Sequence, residues 1–104
     1  MPARGGEATV RPAMPVAVHI CPDHMSKDDY KRVIGDLEKE GVREPEGRLY
    51  HAAYGEDDDV KMFELWRSQE DFDAHSDKLF ATLQGTGVNV DRVDVHPVHS
   101  EHPD

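Results

Sequence analysis

At 104 residues the chain is one domain, near the size below which a hydrophobic core struggles to sustain itself, and such chains often gain stability by self-association. Twenty-two acidic against twelve basic residues give a formal charge of −10, a field that repels phosphate backbones and anionic lipid and so argues against nucleic-acid or membrane-surface partners. A hydrophobic content of 37% is still that of a folded globule rather than a disordered chain.

Residues 1–14 are rich in Gly, Ala and Pro without hydrophobic periodicity and read as a flexible arm. PVAVHIC (15–21) is short, rich in β-branched residues and stopped by Pro22, which predicts a strand. Ser26 with Asp29 three residues on resembles a capping box; Tyr30, Val33, Ile34 and Leu37 then recur at helical spacing, and Gly41 ends the helix. RLYHAAY (48–54) and VKMFELW (60–66) flank an acidic GEDDD turn and predict a hairpin. Ser68 with Asp71 opens a second helix, whose stripe is Phe72, His75, Leu79, Phe80 and Leu83 and whose stop is the GTG at 85–87. VNVDRVDVHPV (88–98) supplies the last strand, and the polar tail 99–104 reads as unpacked.

The order is β-α-β-β-α-β, the split arrangement of ferredoxin-like α+β domains: an antiparallel sheet over residues 15–98 with both helices on one face. The other face needs a cover, and a second copy of the chain is the simplest one. A single cysteine cannot close an internal disulfide. The N-terminal stretch lacks the apolar run of a signal peptide, and no run approaches the roughly 20 residues of a membrane span. A cytoplasmic homodimer is the expectation.

At FELWRSQEDFDAHSDKLFATL (63–83) the chain resembles the small antibiotic-biosynthesis-monooxygenase-like proteins of the dimeric α+β barrel superfamily. Their pattern E-x-W-x-S-x-E-x-(hydrophobic)-x-x-H is matched in register by Glu64, Trp66, Ser68, Glu70, Phe72 and His75, and the LYHAAYG of the preceding strand also fits. The resemblance implies a dimeric barrel and a chemistry drawn from the group: cofactor-free oxygenation of phenols, or haem degradation. Haem degradation fits less well. Trp66 matches its tryptophan, but Ala17 stands where an Asn is expected, and the haem-ligating His would fall at Ser76 or Asp77.

Alternation sorts each strand into two faces. Val16, Val18 and Ile20 oppose Ala17, His19 and Cys21; Phe63 and Leu65 oppose Met62, Glu64 and Trp66. Apolarity alone groups the five aliphatic and aromatic residues under the helices. The resemblance implies the reverse, with those five lining the dimer barrel and the mixed set lining a pocket under the helices. On that reading His19, Cys21, Met62 and Glu64 bind substrate, while His51, His75 and Trp66 carry the chemistry. Histidine ionises near neutrality and suits proton abstraction from a phenol; an indole ring stacks on a flat ligand. Each has a plainer alternative, as a hydrogen-bonded core histidine or a large core ring. Buried Glu64 needs a partner, for which His75 and Arg48 are candidates.

HICPDH (19–24) gathers two histidines and the only cysteine, but structural zinc wants four ligands, usually with paired cysteines, so a strand end and turn is expected there and no metal. The EDDD run (56–59) lacks the spacing of a calcium loop, and no phosphate loop or G-x-S-x-G elbow is present. The expected function is cofactor-independent, monooxygenase-like chemistry on a small aromatic or quinone-like molecule. The alternatives are a non-catalytic binder of haem or another flat ligand, and a dimeric accessory protein.

Overall fold

The computed structural model describes residues 14–42 and 44–100. The expected arms, 1–14 and 99–104, lie almost wholly outside them. Four strands, β1 (Val16–Asp23), β2 (Arg48–Glu56), β3 (Asp59–Trp66) and β4 (Asn89–Pro97), alternate with α1 (Lys27–Lys39) and α2 (Gln69–Gly85) in the predicted order. They form one antiparallel sheet in the order β2-β3-β1-β4, the ferredoxin-like layout. No helix among the described residues is long and apolar enough to cross a membrane.

Both helices start where the sequence places them. The Ser26 hydroxyl accepts from the Asp29 N–H at 3.0 Å while the Asp29 carboxylate accepts from the Ser26 N–H at 3.2 Å, a reciprocal box that satisfies two orphan donors. At α2 the Ser68 hydroxyl accepts from the Asp71 N–H at 3.1 Å, but the Asp71 carboxylate turns outward to Arg67 at 2.9 Å. Gly41 and Gly87, both left-handed, follow the helix ends.

β1 runs two residues past the predicted stop. A bulge between Cys21 and Pro22 shifts its register on β4, which lets the chain carry a proline beyond the last β1–β3 pair, Ile20 with Met62. His24 follows in the left-handed region (φ 60°), and Met25 drops into the core. The hairpin tip is tied to this turn by Lys27 N–H to Asp57 C=O (2.7 Å) and Val60 N–H to Met25 C=O (2.8 Å).

One expectation fails. Val16 pairs with Trp66, Val18 with Glu64 and Ile20 with Met62, so these six share the helix-covered face and are all buried. Ala17 pairs with Leu65 and His19 with Phe63 on the open face. Sequence alternation groups residues within a strand; only the pairing sets the phase between strands, and a slip of one residue exchanges the faces. Val16, Val18 and Ile20 therefore do not share a face with Phe63 and Leu65. With α1 contributing Val33 and Leu37, and α2 Phe72, Leu79 and Leu83, they build the core.

Two glycines give a paired test. Gly47 (φ 91°) enters β2, and a Cβ there would lie 2.6 Å from the Asp71 side chain; Gly35, inside α1, faces open space. In urea unfolding, Gly35→Ala should gain about 0.5–1 kcal/mol, as alanine does for glycine in helices. Gly47→Ala should lose at least about 1 kcal/mol, from backbone strain and the clash at the α2 cap.

Candidate active site

Glu64 points from β3 under the helices because it alternates with the outward Phe63 and Leu65. It is 1% exposed. Its carboxylate accepts three donors brought by neighbouring strand positions. Trp66, two residues along on the same face, gives its indole N–H at 2.8 Å. His51, its cross-strand partner on β2, gives Nδ1–H at 2.7 Å. Arg48 reaches it at 3.4 Å from beyond a register shift between Arg48 and Tyr50. That irregularity puts two β2 side chains, Arg48 and His51, on the inward side with an odd spacing of three.

The His51 ring is held at its other end as well. The Tyr30 hydroxyl of α1 lies 2.7 Å from Nε2, and the two rings are nearly parallel. In the neutral imidazole, with Nδ1 donating to a carboxylate, Nε2 is the acceptor nitrogen and the hydroxyl donates to it. A connected line of side chains thus runs from Tyr30 through His51 and Glu64 to Trp66.

This line ends at a solvent-facing cleft of about 360 Å³, lined among others by Tyr30, Ile34, Pro45, Arg48, Leu49 and His51. Of the three expected catalytic residues, only His51 lines it. Trp66 is wholly buried, edge-on to Phe72 and tilted over His75 at 5.5 Å, so its ring has no face for a ligand, and its N–H is committed to Glu64. His75 faces the sheet from the α2 stripe as expected, 7% exposed, and its Nε2 finds no partner among the described residues.

The expected substrate-binding set is split by the sheet. Met62 is core and Glu64 lies behind His51. His19 and Cys21 share a face with each other, Sγ to Nδ1 3.9 Å, but it is the open one, a correction that follows from the strand pairing. There His19 hydrogen-bonds the Tyr54 hydroxyl and borders a shallow apolar depression of about 390 Å³ with Ala17, Phe63 and His96. His24 sits in the turn beside Asp23. Among the described residues, no three His, Cys, Asp or Glu side chains converge as metal ligands would.

Tyr30 escaped the sequence reading, where it marked only a helical stripe. The signal available was chemical: a tyrosine on a core-facing stripe needs a partner for its hydroxyl.

The charges follow from these contacts. Burial by itself would raise the Glu64 carboxyl, but hydrogen bonds from His51 and Trp66, with the positive charge of Arg48 nearby, outweigh it and hold the group below its ordinary 4.5. Burial dominates at His75 and pushes the imidazole below its ordinary 6.5, against the opposing pull of Glu64.

With this geometry in hand, the fold can be placed among known proteins. No family model and no curated protein matches the chain. Solved structures do. SnoaB, a cofactor-independent oxygenase from Streptomyces nogalater, superposes with TM-score 0.59 at 11% identity, over 88% of this chain and 99% of that one. The ActVA-Orf6 monooxygenase of Streptomyces coelicolor, in complex with the ligand nanaomycin D, gives TM-score 0.55 at 16% identity, over 94% and 98%. A conserved protein from Methanosarcina mazei gives 0.56 at 15%, over 86% and 96%. The chain has the fold of the antibiotic-biosynthesis-monooxygenase-like α+β proteins, as the sequence resemblance implied. At such identities the likeness is one of fold.

The pH dependence of stability separates the two buried groups. His75 has a folded pKa below its unfolded value, so the unfolded chain takes up the extra proton and stability falls as pH drops below about 6.5, before the Glu64 contribution is lost below about 4.5. His75→Leu should flatten urea-denaturation stability between about pH 7 and pH 5. At neutral pH it should be no less stable than the parent, because it also removes an unsatisfied buried nitrogen worth about 1–3 kcal/mol. A parental slope over that interval that survives the substitution would assign the titration elsewhere.

Proposed function

We propose that the cleft beside Arg48 and His51 binds a small phenolic or quinone-like aromatic molecule, and that His51 takes a proton from it. The resulting phenolate is electron-rich enough to react with dioxygen without a cofactor. The observation that carries this reading is the 2.7 Å bond from His51 Nδ1 to a buried, ionised Glu64. A carboxylate in that place fixes the tautomer, leaves Nε2, where the Tyr30 hydroxyl sits, as the acceptor nitrogen and stabilises the imidazolium formed when the proton arrives. Arg48, on the cleft wall, puts positive charge beside the developing phenolate. Two proteins of like fold are described as oxygenases acting without cofactor or as a monooxygenase, which supports the chemistry by analogy. Behind the cleft Trp66 orients Glu64 through its indole N–H, and His75 packs against Trp66.

Oxygen uptake with a panel of anthrone-like and hydroquinone substrates tests it. A positioned base contributes about 10²–10⁴-fold, so His51→Gln should lose that much turnover while Trp66→Phe, which removes one donor from Glu64, loses less. No uptake with any member of the panel counts against the enzyme reading and leaves a ligand-binding role.

The same reading includes a homodimer in the cytoplasm. The open sheet face carries Tyr50, Tyr54, Phe63 and Leu65, with Leu49 beside them; Leu49, Tyr50 and Tyr54 rank among the exposed large apolar side chains. No described segment covers this face, and a second copy would remove it from water. Sedimentation equilibrium at micromolar concentration should give twice the 11.7 kDa chain mass. A clean monomer contradicts the dimeric barrel.

A further inference from the structure

We infer that the contact between two copies of the chain is a pH switch, in which His19 and His96 on the open sheet face must be uncharged for the copies to join. The inference rests on the homodimer reading and adds its regulation.

The strand pairings lay the open face out in rows. Tyr50, Leu65, Ala17 and His96 form one row, and Ala52, Phe63, His19 and Asp94 the next. The cations Lys61 and Arg92 stand a row further on, paired with Tyr54 and Cys21. With neutral imidazoles the first two rows carry one charge, that of Asp94, in a chain whose formal charge is −10. A second copy brings the same strip, so the two can meet here with little like-charge repulsion. The face also holds both a hollow and projections: the depression of about 390 Å³ among Ala17, His19, Tyr54, Phe63 and His96, and the exposed Leu49 and Tyr50. A two-fold axis lets each copy fill the other's hollow. Four strands about 4.8 Å apart and about eight residues long offer roughly 500 Å² a copy, about 1,000 Å² in all, which is where stable interfaces begin.

Both histidines line the hollow, His19 half-buried and His96 exposed in the single copy. Among the described residues, His19 faces the Tyr54 hydroxyl, hydrogen-bonded to Nε2, the Cys21 thiol, 3.9 Å from Nδ1, and Asp94 across on β4. Lys61 lies beside Tyr54 and bonds Asp59 at 3.0 Å. His96 faces Ala17 across the ladder and has Asp94 two residues along. The Asp94 carboxylate accepts from the Arg92 guanidinium at 2.9 Å, so the one anion of this strip already holds a cation.

Imidazole changes charge between about pH 5 and pH 8. A second copy laid over the two rings would hold them away from water, and a proton there would cost more in the dimer than in the free chain. The separated chains therefore bind more protons, and dimer affinity falls as pH drops through that range. The overall charge pulls the other way, because acid reduces the −10 and with it the repulsion between copies.

Sedimentation equilibrium at about pH 7.5 and about pH 5.5, with near-ultraviolet dichroism of Trp66 to follow the fold, tests the switch. The dimer dissociation constant of the parent should rise at least about tenfold on acidification, the effect of one proton taken up over one pH unit. His19→Gln combined with His96→Gln should keep its affinity or tighten. Ring-proton NMR titrations of the parent at low and high protein concentration need no variant. The midpoints of His19 and His96 should move to lower pH as concentration rises, while that of His24, exposed in the turn after β1, should stay. The inference is overturned by a parent dimer equally tight at both pH values, or by a double variant that dissociates in step with the parent. Midpoints indifferent to concentration across the monomer–dimer transition overturn it as well, and all three outcomes leave the dimer standing. A parent that is monomeric at both pH values removes the dimer itself and the switch with it.

Discussion

Glu64 carries a negative charge into the layer between sheet and helices, where an unpaired carboxylate would cost several kcal/mol. The chain meets that cost locally. Each donor comes from a position the fold already fixes: Trp66 two residues along the strand, His51 directly across on β2, Arg48 across the register shift. Removing any one leaves a buried acceptor less satisfied, so the four residues act as a unit and the orientation of His51 follows from it. The helices then close over an arrangement made entirely by β2 and β3, adding Tyr30 from one side and His75 from the other.

The two histidines under the helices have opposite environments, and that divides their roles. His51 lies against a carboxylate, a phenol and a cleft, with a donor or acceptor at each nitrogen. His75 lies against Trp66 with its Nε2 unpartnered, and burial holds it neutral. His51 has a carboxylate at Nδ1 and a phenol at Nε2, whereas a proton that arrives at His75 must overcome desolvation. On the proposed reading the strand histidine is the proton acceptor and the helix histidine stays in the core, although the sequence motif draws attention to His75 first.

The fold was legible because its signals are local. Serine caps three residues ahead of an aspartate, apolar spacing on both helices, and an acidic turn between two short runs mark all six elements to within about two residues. The site was legible only in part. A buried Glu64 in want of partners pointed to Arg48, which does meet it, and to His75, which does not; the partner is His51 across the strands, and which groups meet depends on strand register, a property no single strand encodes. The same ignorance of register placed His19 and Cys21 beside Glu64, when they lie across the sheet from it. Tyr30 stayed hidden because its role is set by the crossing of α1 over β2, a tertiary contact between residues 21 positions apart.

The central claim is that a charged Glu64 holds His51 as the Nδ1–H tautomer with Nε2 as acceptor. Nitrogen-15 chemical shifts of the His51 ring in labelled protein at neutral pH, read together with the Glu64 carboxyl carbon-13 shift, test it most directly. The account predicts a protonated Nδ1, an acceptor-type Nε2 and an ionised carboxyl that stays ionised on acidification to below the ordinary carboxylate value. A His51 ring protonated on Nε2 alone, or a Glu64 carboxyl that is neutral at neutral pH, would contradict it.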